Sequence, residues 1–167
     1  MAYQARKKVR SVQLTPTIYT AGAMASGDAM HTSALEIADI LQHNASGHIK
    51  SVVISDLDKK NTDLDVVFFK ANPSTSTITA GDAIDIADSE LLDVIGYVSV
   101  VAANYADFND NSVAGKECEI PFAKEGTGVI SASGATARSL WCVLVSRDTD
   151  TFSTATALTL TVNIEVD

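Results

Sequence analysis

The chain has 167 residues, 46% hydrophobic and 20% charged with only 3 prolines, which is the balance of a globular protein and excludes a disordered one. That length fits one domain burying about 70% of the surface its unfolded chain would expose, so a core is attainable without disulfides or metals. The formal net charge of -9 repels phosphate backbones, which argues against nucleic acid and anionic membrane as partners of the body.

The charge is unevenly placed. Arg6, Lys7, Lys8 and Arg10 all precede the first acidic residue, Asp28. Residues 1–17 are mostly polar, with apolar positions at Val9, Val12 and Leu14 before Pro16, so they are expected to form an extended basic arm that adds one edge strand. Residues 1–18 lack the uninterrupted apolar core of a secretory signal, and no apolar run reaches the length of a membrane span. The expectation is a protein made and kept in a cytosol. From Ile18 to Ser33 the chain is rich in Gly, Ala, Met and Ser, too small-sided to anchor a core, and reads as an irregular surface segment.

Ala34 to Leu41 fits a strand through Leu35 and Ile37, although Ile40 breaks the alternation and a helical spacing also fits. Next, His48 to Ser55 and Leu64 to Lys70 are rich in β-branched and aromatic residues and flank a charged turn, which predicts a β-hairpin stopped by Asn72-Pro73. Asp88-Ser-Glu-Leu-Leu-Asp offers a short helix with Asp88 or Ser89 as its cap, running into a strand at Ile95–Val101. Asn104 to Ser112 reads as an acidic loop. Further strands are expected at Cys118–Phe122, Thr127–Ala132, Ser139–Ser146 and Leu158–Val166. The last alternates strictly, with Leu158, Leu160, Val162, Ile164 and Val166 on one face.

Many short strands with at most two short helices predict a mainly β fold, an antiparallel β-sandwich of jelly-roll-like form over residues 18–167, preceded by the arm. Cys118 and Cys142 lie in apolar stretches without C-x-x-C spacing and are expected to be reduced, buried core thiols.

Motifs for catalysis fail one after another. There is no G-x-S-x-G elbow, no H-E-x-x-H and no phosphate loop, and Gly126-Thr-Gly reads as a turn. His31, His43 and His48 sit beside small or polar residues and read as solvent-facing loop histidines. Asp56 to Asp65 has the look of a calcium loop, but Lys60, Asn61 and Val67 occupy positions that an EF-hand gives to a ligand, a glycine and a glutamate. Asp107 to Ser112 fails in the same way. The residues therefore encode no catalytic site, no cofactor and no metal, and the chain is not expected to be an enzyme.

The apolar runs either side of Asp56–Asp65, the acidic turn of helix feeding a strand within Gly81–Val100, and Tyr19-Thr-Ala-Gly resemble the head decoration, or capsid cement, proteins of tailed phages. The resemblance spans Tyr19 to the C-terminus. It implies a flexible N-terminal segment, a β-rich body, attachment as a homotrimer to the assembled major capsid protein lattice, and a place on the outer surface of the virion head. Such a protein stabilises the shell by binding the assembled state, without chemistry. The contrast between basic arm and acidic body then makes Arg6, Lys7, Lys8 and Arg10, with Tyr19, the candidate capsid contacts. A second reading is a carbohydrate- or receptor-binding sandwich on a virion surface, which would use exposed aromatics drawn from Tyr97, Tyr105, Phe108 and Trp141.

Overall fold

The computed structural model describes residues 8–38, 46–123 and 139–166. In chain order these form β1 (Lys8–Leu14), β2 (Leu35–Ile37), β3 (Ser46–Asp56), β4 (Leu64–Phe69), helix α1 (Asp88–Leu91), β5 (Val94–Val100), β6 (Tyr105–Asp107), β7 (Ser112–Ala123), β8 (Leu140–Ser146) and β9 (Leu158–Val166). They build two antiparallel sheets, ordered β1-β9-β3-β7-β6 and β2-β8-β4-β5. Setting the short β6 aside, this distribution of strands is that of a jelly roll: a β-sandwich in which most successive strands change sheet.

β9 shows why the sequence folds this way. Leu158, Leu160, Val162 and Ile164 are fully buried and Val166 nearly so, while the alternate residues face outward half-buried. Each fully buried aliphatic side chain contributes about 1.5–3 kcal/mol of transfer free energy. β9 lies between β1 and β3, in register with Leu14, Val12 and Arg10 on one side and Ile54, Val52 and Ile49 on the other.

The expected hairpin between the third and fourth strands does not exist. β3 pairs with β7 and β9 in one sheet, and β4 pairs with β5 and β8 in the other. The chain arches across the end of the sandwich through residues 57–63. Buried Asp56 turns the arch, accepting hydrogen bonds from the N–H groups of Asp58 (3.0 Å), Lys60 (2.7 Å) and Asn61 (2.9 Å). Lys59 and Asn61 adopt φ of 52° and 55° within it. Hydrophobic periodicity finds strands and their faces but says nothing of which strand lies next door.

Residues 18–33 are likewise not a surface segment. Ile18, Met24, Ala29, Met30 and His31 are buried. Small side chains let this stretch approach β8 closely: Gly27 N–H bonds Ser146 O, Ser146 N–H bonds Asp28 O, and Met30 N–H bonds Leu144 O. It is an interrupted continuation of β2 along β8. On the outer face of the β8 sheet, the connection from β4 to β5 lies over Phe69, Val143 and Val145 and makes a second apolar cluster with Ala29 and Ile78. That cover explains why β4 is buried on nearly every residue instead of alternating.

Smaller expectations change too. Helix α1 begins after Ala87 with no side-chain cap, so neither Asp88 nor Ser89 caps it. The loop over 104–112 contains β6, which makes a hairpin with the start of β7. β7 begins six residues before Cys118, and Pro121 fits within it because β6 reaches only to Ala114, leaving that flank of Pro121 outside the ladder. The expected strand at Thr127–Ala132, together with Ile40, Leu41, His43 and Gly126, lies outside the described residues.

Candidate interaction surface

The residues expected to contact a capsid are not gathered in one place. Arg6 and Lys7 lie outside the described residues. Lys8 and Arg10 are on β1, the edge strand expected of the N-terminal segment, paired with β9 through all 7 of its residues. Val12 and Leu14 pack on the main core, so the described part of the segment before Thr17 is joined to the sandwich. Lys8 stands opposite Val166 and Arg10 opposite Ile164, whose side chains enter the core, so both cations occupy inward-facing positions at the rim of the sandwich. Arg10 is half-buried there and Lys8 is exposed.

Tyr19 sits beyond the other end of β1, roughly 20 Å or more from Lys8 by strand rise alone. Its ring lies flat against Gly81, where an added Cβ would come within 2.6 Å of Tyr19 Cζ. Gly81 also has φ of +80°, which other residues rarely adopt. Tyr19 N–H bonds Met30 O (2.9 Å), and the ring borders an open concavity of about 460 Å³ with Thr17, Thr20, Ala21 and Ala155. By contrast, Lys8 shares its end of the sandwich with the start of β3 and the ends of β7 and β9, since Gly47 is opposite Val166 and Ser46 opposite Ala123.

Carboxylates of the acidic loops diverge instead of converging on a point. Asp56 turns inward onto the arch. Asp58 accepts from the N–H and hydroxyl of Ser153 at 2.5 and 2.7 Å, and Asp63 from Ala102 N–H at 2.6 Å. Asp65, nearly buried, accepts from Arg147 Nε (2.7 Å) and the Ser99 hydroxyl (2.6 Å). Asp107 takes Asn61 Nδ2 at 2.8 Å and faces Lys59 Nζ at 3.6 Å. Among the described residues no three metal-ligating side chains are grouped as a site.

The other titratable groups are also tied to the frame. His31, expected at the surface, is 1% exposed. Its Nε2 accepts Leu144 N–H (3.0 Å) and its Nδ1 donates to Ser33 O (2.8 Å), which fixes the tautomer. Burial lowers its pKa to about 4, against the smaller raising effect of the Ser33 and Thr32 carbonyls. For Asp56, burial raises the pKa above the usual carboxylate value despite the three N–H donors that lower it. Burial and the charges of Asp56, Asp63 and Asp150 push the Tyr105 phenol well above its ordinary value, and its hydroxyl donates to Thr62 O at 3.1 Å. Glu90 holds Thr75 N–H (2.8 Å) and the Ser76 hydroxyl (2.5 Å), fastening the β4–β5 connection to α1. Cys142 is buried as expected, whereas Cys118 is half-buried and reaches Ile49 O at 3.4 Å; burial raises both thiols.

The aromatics of the second reading are dispersed. Tyr97 is exposed on β5, Phe108 is exposed in the β6–β7 turn, Tyr105 is half-buried, and Trp141 is half-buried on the outer face of β8. Sequence reasoning missed the Asp65–Arg147 pair and the role of His31, because both join residues far apart in the chain. No protein-family model matches this sequence, and no curated protein is similar to it.

Proposed function

We propose that this chain is a structural virion protein of the decoration class, which binds the assembled major capsid protein lattice and stabilises the head without catalysis, cofactor or metal. The observation that carries this reading is the continuity of the basic N-terminal run with β1. Arg6 and Lys7 lead directly into a strand paired along its whole length with β9, a central strand of the sandwich. Tension on the segment ahead of Lys8 therefore passes into a sheet ladder, as an anchor requires. The jelly-roll frame and the engagement of Asp56, Asp65, Glu90 and His31 in holding loops support a scaffold in which polar groups serve shape. Fold alone assigns no function.

In this reading Arg6, Lys7 and the exposed Lys8 dock on an acidic surface of the coat, while Arg10, half-buried and facing inward, and Tyr19, at the other end of β1, belong to the body. The experiment is binding of the purified protein to tailed-phage heads stripped of decoration, with the full chain and a chain lacking residues 1–7. Weaker binding of the shorter chain, with an advantage for the full chain that shrinks as salt rises, is the expected result. Failure of the full chain to bind any such head, together with binding to glycans in an array, would favour the appendage reading.

A further inference from the structure

Among the described residues the sheets end in β1, β6, β2 and β5, with β7 open as well beyond Ala114, where it carries Lys116, Glu117 and Glu119, and these edges are unequally protected. β2 and β6 are 3 residues each, and β1 carries Lys8 and Arg10 on inward-facing positions. Short edges and inward charges are devices by which sheets avoid pairing with other chains. β5 has neither: it is 7 residues, Val-Ile-Gly-Tyr-Val-Ser-Val, without a charge. Around it stand Leu91 (56% exposed), Leu92 (80%), Tyr97 (64%) and Val101 (40%), four of the seven large apolar side chains exposed among the described residues.

We infer that β5 is a self-association edge, pairing antiparallel with β5 of a second copy about a two-fold axis and joining two four-stranded sheets into one. A partner strand of the same composition brings no charge to the new ladder and must have a free edge of its own, and among the described residues only β5 is both long and so composed. The net charge of -9 opposes approach of two copies through their acidic surfaces, and an uncharged strand is where that repulsion is least. A two-fold contact satisfies both edges at once with one patch. The irregularity between Phe68 and Phe69 falls at the start of β5, so Gly96 to Val100 is the regular part of its ladder. An axis passing there sets Tyr97 across from the partner's Tyr97 on the outer face, an aromatic cross-strand pair.

This inference stands apart from the decoration reading, and a two-fold pair differs from the trimer implied by the family resemblance. The test is the mass of the full chain in solution by light scattering across a wide concentration range. The expected result is a dimer that Tyr97→Lys weakens about tenfold or more, while circular dichroism stays unchanged and both chains melt alike at concentrations where they are monomeric, and that Val9→Lys on β1 leaves intact. Mild oxidation of Tyr97→Cys should give a covalent dimer that the parent chain, with Cys118 and Cys142 in place, does not form. A monomer at every concentration, a trimer, or a dimer indifferent to Tyr97→Lys would overturn the inference. Head binding is read separately, so either proposal can fail alone.

Discussion

The imidazole Nε2 of His31 takes the hydrogen bond from Leu144 N–H at 3.0 Å that a backbone carbonyl would take in an unbroken strand. The chain leaves β8 after Met30 and returns at Leu35, with Ser33 at φ 64° in the excursion. His31 closes the resulting gap in the ladder, and only its neutral form can accept there.

Acid should therefore destabilise the fold through this residue. Its pKa in the fold is about 4 against 6.5 for the free side chain, so the unfolded chain binds a proton that the fold excludes. Stability is complete above about pH 6.5 and falls as pH drops towards 4, by on the order of 3 kcal/mol. Urea unfolding at a series of pH values checks this. His31→Gln, which keeps an acceptor but cannot titrate, should flatten the slope in that window.

The main core gives a second expectation. Leu160→Ala should cost about 2–5 kcal/mol, since Leu160 is fully buried between the sheets. Thr161→Ala, on the opposite face of the same strand, should change stability by no more than about 0.5 kcal/mol. Denaturant midpoints of the two variants compare them directly.

Removal of the Asp56 carboxylate should loosen the arch. Asp56→Ala leaves the N–H groups of Asp58, Lys60 and Asn61 without their acceptor and should cost about 1–3 kcal/mol. Hydrogen exchange at those three amides should accelerate more than at β9.

Gly81→Ala tests the contact with Tyr19. The new methyl meets the ring at 2.6 Å and must adopt φ +80°, a combined cost of roughly 1–3 kcal/mol. Tyr19→Ala should recover the steric part but not the backbone part, so a double-mutant cycle should show coupling of about 0.5 kcal/mol or more.

Deletion separates arm from strand. A chain lacking residues 1–7 keeps all of β1, while one lacking residues 1–14 loses one of the two strands that flank β9 and should unfold at lower temperature than the first and aggregate through that uncovered edge. Thermal melts with light scattering report both.

What was legible in the sequence was local. The strict alternation of Leu158–Val166 specified both a strand and its buried face, and Asn72-Pro73 marked where β4 had to stop. The partner of β3 was not legible, because the residues after Asp56, Leu57 followed by six charged or polar ones, suit a hairpin or an arch equally and only the carboxylate of Asp56 selects the arch. Residues 18–33 misled for a related reason: small side chains read as weak core formers, yet their smallness is what lets the backbone of Ala29 lie between Val145 and Ala80. The candidate cations were legible as a cluster. That Lys8 and Arg10 point inward follows only from their register with Val166 and Ile164.

The position of β9 has a consequence for biosynthesis. Among the described residues it follows every other strand, yet it belongs between β1 and β3. During translation both of those strands wait with a flank uncovered until residues 158–166 leave the ribosome, so the sheet cannot close as it is made. Folding must await the last strand, with contacts mostly distant in sequence, which favours slow folding and exposes the nascent chain to chaperones in the interval.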